Sequence, residues 1–326
     1  MTVSDLSVGI VIRTKDRPVL LLRALLSVFR QTCRKWELVV VNDGGSPESV
    51  RQVLDMASRL PGADQRIRVK DLPLSRGVAG AANAGLDLLQ TDLAALHDDD
   101  DAWPETFLAE SVAAFSAQRV LYPTLTLVAA PVIRIEERLG ISTHHRDITE
   151  VSRRPFEPYP PVGLISLPDV LVHNLFPPIA LLWDLASLRQ VGLFREDLPV
   201  LEDWDANRKL LLLGEGYQRG GAAARYHVRV PDSRADAAYA NTITAQRELH
   251  LQTRQRLLNE WLRADLAAGR MGAGAYTAWL VQRQGPDDTT RAILRELRQG
   301  GLLRDGKALA RGLRDWWRRR RSGGGA

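Results

Sequence analysis

The stretch "LAALHDDDDAWPE", residues 93–105, ends an apolar run in four consecutive aspartates, Asp98 to Asp101. Carboxylates this close repel one another by roughly several tenths of a kcal/mol or more per pair. Something positive must hold them together. The apolar run reads as a buried strand, which puts the aspartates at its carboxyl end. If the chain stays extended there, side chains two apart point the same way. Asp98 and Asp100 then converge, while Asp99 and Asp101 face the other side. Two convergent carboxylates suit a hard divalent cation such as Mg²⁺ or Mn²⁺, which keeps positions open for water and phosphate oxygens. Asp101, just ahead of "WPE", also fits a helix start, where negative charge is favoured.

Outward from this stretch, the first hundred residues alternate short apolar runs with helical patterns. Val8–Ile12 in "SVGIVIRT" reads as a first strand, and "RPVLLLRALLSVFRQT" as a helix with Pro18 at its start. "WELVVVND" is a second strand, apolar on both faces as central parallel strands are. "SPESVRQVLDMASRL" is a helix capped by Ser46. "RIRVKDL" is a third strand, and the small residues of "GVAGAANAGLDLLQ" make a closely packed third helix. "DLAALHDD" and "PETFLAESVAAFSAQ" complete the series. Such alternation predicts an α/β fold, a mainly parallel central sheet with helices on both faces. Past residue 120 the pattern loosens. "LTLVAAPVIRIEE" reads as one or two strands, and residues 140–165, rich in Pro, His and Arg, as a mobile loop region. From "NTITAQRELHLQTRQRLLNEWLRADLAA" onward the pattern is helical to the end, with glycine-rich breaks at 269–274 and 300–306.

The 326 residues exceed one typical domain, and 45% hydrophobic with 25% charged content is ordinary for a soluble globular chain. The single cysteine, Cys33, excludes an internal disulfide and a cysteine-based metal site, and fits a reducing, cytoplasmic compartment. The N-terminus lacks the basic and apolar regions of a signal peptide, and no run approaches the roughly 18–20 apolar residues of a membrane span. The net charge of +5 belongs to the tail: Arg304 to Arg321 carries eight basic residues against Asp305 and Asp315, or +6, leaving about −1 elsewhere. The main body therefore has no electrostatic footprint for nucleic acid.

In open parallel sheets, ligands bind beyond the carboxyl ends of the strands. The first four strands end in Thr14-Lys15-Asp16-Arg17, Asn42-Asp43-Gly44-Gly45, Asp71 and Asp98–Asp101. A purely structural fold does not need such endings; a site does. The blocks "GIVIRTKDRP", "VVNDGGS", "SRGVAGAANAGL", "LHDDDDAWPE" and "LPVLEDWDANRKLLLLGEGY", in this order over about 200 residues, resemble glycosyltransferase family 2. That family has the GT-A (nucleotide-diphospho-sugar transferase) fold.

The resemblance implies an inverting, non-processive transfer from a nucleotide sugar, a UDP- or dTDP-sugar, to a hydroxyl of a glycan or lipid-linked acceptor. It implies a GT-A catalytic domain over 1–232 and a C-terminal helical extension with a basic tail over 233–326. Thr14 and Asp16 would line the nucleotide pocket, Asp43 would bond the base, and Asp98 would sit near the ribose. Arg17, Arg76, Asn83 and Asp99 belong to the same donor-binding set. Asp100, with Asp98, would hold Mg²⁺ or Mn²⁺, and Asp203 would be the general base, with Glu202 a rival. One base opposite one leaving group implies a single inverting displacement.

Several residues depart from the family pattern. Arg13 replaces a proline, Lys15 an aromatic residue, Asn42 an aspartate and His97 an apolar residue. Arg76 stands where asparagine is frequent and either reaches a phosphate or is solvated. His97 reads as a satisfied core histidine, with metal ligation the alternative. His227 is open between a structural role and a cation or phosphate contact. The tail "GKALARGLRDWWRRRR" sets Trp316 and Trp317 beside arginines, which suits either a solvated helix end or peripheral contact with an anionic inner membrane face through 304–321. A processive synthase would add membrane spans and a Q-x-x-R-W motif, both missing from the sequence. A sugar nucleotidyltransferase would need a glycine-rich N-terminal loop, which "IRTKDRP" matches poorly. A non-catalytic nucleotide-binding partner would bind without turnover, a reading opposed by the intact set Asp98, Asp100 and Asp203.

Overall fold

The computed structural model describes residues 5–59, 67–141, 146–157, 160–230, 247–269 and 271–283. Strands β1 (Val8–Thr14), β2 (Trp36–Asp43), β3 (Ile67–Leu72) and β4 (Leu93–Asp98) alternate with helices α1 (Pro18–Phe29), α2 (Pro47–Ser58), α3 (Gly77–Leu86) and α4 (Phe107–Leu121). All eight are expected from sequence, and β1 runs two residues past Ile12, to Thr14. Pro18 opens α1, and the Ser46 hydroxyl accepts from the Ser49 amide at 3.3 Å to cap α2.

The run "LTLVAAPVIRIEE" divides into two strands, β5 (Leu125–Ala129) and β6 (Val132–Ile141), which enter different sheets. The main sheet has the order β3-β2-β1-β4-β9-β5-β10-β8, where β8 is Gly163–Leu164, β9 is Leu181–Asp184 and β10 is Glu215–Gln218. Its first four strands are parallel, and β9 runs antiparallel between β4 and β5. A second, three-stranded sheet has the order β11-β6-β7, with β7 at Arg146–Pro155 and β11 at Ala224–Arg229. β7 corrects the expected loop over 140–165. Its charges, read as loop composition, are met across the hairpin: Arg154 and Ser152 both bond Glu136, at 2.9 Å each.

Both faces of the main sheet are covered. Ile10, Ile12, Leu38 and Val40 face α1, α2 and α4, whereas Val11, Val39 and Val41 pack with α3, α6 (Leu185–Gln190) and α7 (Glu202–Leu213). This is the period of two expected of strands buried on both sides. Gly85 lets α3 lie on the sheet, because a Cβ there would stand 2.4 Å from Val11 Cγ1. Between β8 and β9 come α5 (Leu167–Val172) and a short 3₁₀ turn, Pro178–Ala180.

The long helix Arg247–Ala267 packs on this core and is followed by the helix Ala273–Arg283. Leu257 and Trp261 join the same apolar cluster as Val11 and Leu210. Trp261 meets Trp204 of α7 edge-on at 5.1 Å, and the Arg208 guanidinium lies 3.6 Å from the Trp261 ring centre. The expected boundary near 232 falls outside the described residues, as do the expected helical pattern beyond residue 283 and the basic stretch 304–321. No helix among the described residues is long and apolar enough to cross a membrane. Because Trp261 is 7% exposed within the core, Trp261→Ala is expected to cost about 3–5 kcal/mol. A thermal unfolding scan checks this, and an unchanged midpoint would detach the helix from the catalytic core.

Candidate functional site

The aspartates follow β4, but the chain turns there. The Asp101 amide donates to the Asp98 carbonyl at 3.1 Å, closing a tight turn. That turn corrects the extended reading. Asp98 and Asp100 do converge, and Asp101 joins them instead of facing away: one carboxylate oxygen from each lies within 4.8 Å of the other two. Asp99 alone turns aside, buried, accepting from Thr14 Oγ1 at 2.7 Å and Arg17 Nε at 3.1 Å. The Ala102–Arg225 bridge to β11 fixes the turn from the other side.

Arginines supply the positive charge. Arg13 donates to Asp98 from the end of β1, and also to the Val78 carbonyl at 2.9 Å and Glu202 at 3.4 Å. Arg17 reaches Asp100 at 3.4 Å, and Arg229 of β11 pairs with Asp100 as well. Arg23 of α1 holds the Asp100 carbonyl and pairs with buried Glu137 at 2.8 Å.

These partners divide the carboxyls. Burial pushes Asp100 upward, but Arg17 and Arg229 outweigh it and its pKa ends below the ordinary value. Asp99 is pushed up to about 7 by burial, despite Arg17. Asp101, buried and beside Asp100 and Asp98, rises well above the ordinary carboxylate value. A carboxyl held up by burial and like charge is one that an added cation would ionise. Three converging oxygens on hard ligands therefore fit a divalent metal, and the donor set matches Mg²⁺ or Mn²⁺.

Across from this turn, the N-terminus of α7 presents Glu202 and Asp203. Leu201 ahead of it has a left-handed backbone, with φ of 66°. Asp203 accepts from Asn174 Nδ2 at 3.2 Å and from the Trp204 amide at 2.7 Å. Burial raises the pKa of both carboxyls; Glu202, also repelled by Asp203, reaches about 7. Arg13, bonded to Asp98 and to Glu202, joins the two acidic groups.

A cavity of about 330 Å³ lies between them. Asp98, Asp100, Arg17 and Asp203, all assigned from sequence, line it together. Glu202, Arg13, Arg229 and Asn174 line it too, with an apolar wall that includes Phe156, Phe176, Pro177 and Tyr226. Arg13 was visible only as a charge in place of a proline. Asn174 and the apolar wall carry no local signal, because their position depends on how residues 156 and 174–178 fold over the sheet.

Thr14, Asp16, Asp43, Arg76, Asn83 and Asp99 do not line this cavity. Thr14 orients Asp99. Asp16, with φ of 52°, accepts from the Ser46 amide at 2.8 Å. Asp43 accepts from Ser75 Oγ and the Arg76 amide, both at 2.6 Å, and from the Gly77 amide, so it caps α3. The Arg76 guanidinium pairs with Glu196 at 2.6 Å on the exposed surface. Asn83 is buried and bonds the backbone of Phe194 in both directions.

Both singled-out histidines are buried. His97 is fully buried; Ser27 Oγ lies 2.9 Å from its Nε2, the Asp98 carbonyl 2.9 Å from its Nδ1, and Trp103 packs edge-on at 4.5 Å. Burial lowers its pKa to about 4, so the ring is neutral. The His227 amide donates to Asp101 at 2.8 Å, and burial holds that imidazole at about 3.

Residues 9–159 match the model of glycosyl transferase family 2. A Bacillus subtilis (strain 168) protein named as an uncharacterized glycosyltransferase, YwdF, is 28% identical over 200 residues, 61% of this chain and 66% of its own. The Escherichia coli protein WfgD, named UDP-Glc:alpha-D-GlcNAc-diphosphoundecaprenol beta-1,3-glucosyltransferase, is 29% identical over 99 residues, 30% of this chain and 37% of its own. The chain thus spans just under two thirds of the first of these relatives and little more than a third of the second. The mannosyltransferase PcManGT from Pyrobaculum calidifontis, solved with GDP-Man and Mn²⁺, superposes with a TM-score of 0.53 at 15% identity, over 93% of this chain and 83% of that one. At that identity the likeness bears on the fold alone. With the sheet order and the acidic turn after β4, these matches give the chain the GT-A fold and make residues 9–159 similar to glycosyl transferase family 2.

Proposed function

We propose that the chain moves a glycosyl group from a UDP- or dTDP-sugar to a hydroxyl of a glycan or lipid-linked acceptor, inverting the anomeric centre. One observation carries this reading: Asp203 and the pair Asp98–Asp100 face each other across a single cavity. The donor's diphosphate belongs at the acidic turn, among Arg13, Arg17 and Arg229, with the nucleotide extending over the shelf of Thr14, Asp16 and Asp43. A divalent cation held by Asp98, Asp100 and Asp101 would offset the charge of the departing diphosphate.

Asp203 is the base. Among the described residues its oxygens accept from neutral donors, Asn174 Nδ2 and the Trp204 amide, and burial raises its pKa. Glu202, the rival for this role, is itself paired with Arg13. Asp203 takes the acceptor's hydroxyl proton. The acceptor oxygen bonds the anomeric carbon from that side, and the bond to the diphosphate breaks on the other, its electron pair leaving with the nucleotide. The names of the relatives favour UDP-sugars and a diphosphoundecaprenol-linked acceptor: WfgD is named for UDP-Glc and such a lipid. An acceptor of that kind resides at a membrane surface, which the basic, tryptophan-bearing stretch 304–321 suits.

A panel of nucleotide sugars, scored by hydrolysis and thermal stabilisation with Mn²⁺ and then EDTA, tests the reading; no response to any donor sinks it. Asp100→Asn is expected to abolish metal-dependent donor binding, while Asp203→Asn keeps that binding and loses transfer by about 100-fold or more. Tight Mn²⁺-dependent binding by the Asp100 variant would refute the metal assignment. Glu202 supplies a pH test. Its folded pKa of about 7 exceeds the ordinary 4.5, so the folded state binds the proton more tightly. The stability this contributes is full below pH 4.5 and is lost as pH rises through 7. Glu202→Gln should therefore unfold near the wild-type temperature at acid pH, and on the order of 5 °C higher at mildly alkaline pH. Calorimetric scans decide. Finally, removing residues 304–326 should weaken binding to vesicles of anionic phospholipid in flotation assays, and equal binding would exclude the tail as an anchor.

A further inference from the structure

The helix Arg247–Ala267 reaches the catalytic cavity with one side chain, His250, which joins Asn174, Phe176 and Asp203 in its lining. The Nε2 atom of His250 is buried and has no hydrogen-bond partner among the described residues. A buried polar atom left unmet is unfavourable unless a ligand or water bonds it. The helix is not free to swing this ring away. Trp261 is locked against Trp204, and Glu260 pairs with Arg195 at 2.8 Å. One turn beyond His250, Arg254 donates to the Val172 carbonyl at 3.3 Å, and residues four apart share a helix face. Val172 lies two residues before Asn174, the residue that holds Asp203. His250 therefore belongs to the wall that carries the base.

We propose that His250 binds the acceptor, its Nε2 hydrogen-bonding a hydroxyl of the acceptor sugar and so presenting the neighbouring hydroxyl to Asp203. This rests on the glycosyl-transfer reading above. Burial lowers the imidazole's pKa, which keeps the ring neutral. A neutral ring suits an uncharged hydroxyl, which both donates and accepts. A diphosphate would instead demand cations, and those stand at the other wall with Asp98 and Asp100. Phe176 and Pro177 beside His250 offer an apolar surface to the C–H face of a pyranose ring.

The test compares wild-type protein with His250→Ala and His250→Gln. The donor is UDP-glucose, or the nucleotide sugar that the panel selects, and the acceptor is N-acetylglucosaminyl diphosphate bearing a phenoxyalkyl chain. The alanine variant is expected to raise the KM for this acceptor about tenfold, the loss of one hydrogen bond to a buried group. Its kcat should change less than its KM, and its Kd for UDP, by calorimetry, should stay within about twofold of wild type. Glutamine, whose amide nitrogen can replace Nε2, should recover part of the loss. An unchanged acceptor KM, or a loss of UDP affinity equal to the loss of acceptor affinity, overturns the assignment of His250 alone. A wild-type protein that transfers nothing to this acceptor overturns the acceptor reading and this inference together.

Discussion

Four carboxyl groups share one turn after β4 because guanidinium groups from β1, the β1–α1 turn, α1 and β11 surround them. Without Arg13, Arg17, Arg23 and Arg229 the turn could not be buried as it is. At an effective dielectric constant near 20, two unit charges 4 Å apart interact by about 4 kcal/mol, so either the repulsion or the pairing is large against the stability of a domain. Breaking such a pair leaves an uncompensated buried charge, which costs about 3–5 kcal/mol. The turn is therefore a fixed point to which neighbouring elements must conform. β11 is drawn in by Arg229 and by the Ala102–Arg225 bridge. α1 is tied by Arg23.

The same constraint links the two acidic groups of the cavity. Arg13 bonds Asp98 on one side and Glu202 on the other. Through it the acidic turn and the N-terminus of α7 share one partner. Among the described residues Asp203, the neighbour of Glu202, accepts hydrogen bonds from Asn174 and the Trp204 amide. The pairing scheme thus gives two adjacent acids on one helix different partners.

Much of this was legible beforehand. The eight elements of the first 121 residues follow from apolar periodicity, Pro18, Pro47 and the Ser46 cap, all of which act locally. The donor-side aspartates and Asp203 stood out as charges at the ends of buried segments. The expected loop at 140–165 failed because β7 is rich in arginine and glutamate, and its pairing with β6 depends on partners in the other strand. The extended reading of Asp98–Asp101 failed at Asp101, where a backbone hydrogen bond to Asp98 bends the chain. Arg76 and Asn83, set by their place in a motif, turned out to bond Glu196 and Phe194, residues more than a hundred positions away.

Taken alone, the sequence determined the strand–helix order, the two-sided burial of the sheet and which segments end in charge, since periodicity and capping act within a few residues of one another. Tertiary structure alone decided that Asp101 joins Asp98 and Asp100, that Asn174 bonds Asp203, and that His250 from a distant helix reaches the same cavity. Those placements depend on contacts between segments far apart in the chain, made when apolar faces such as Trp204 and Trp261 bury one another.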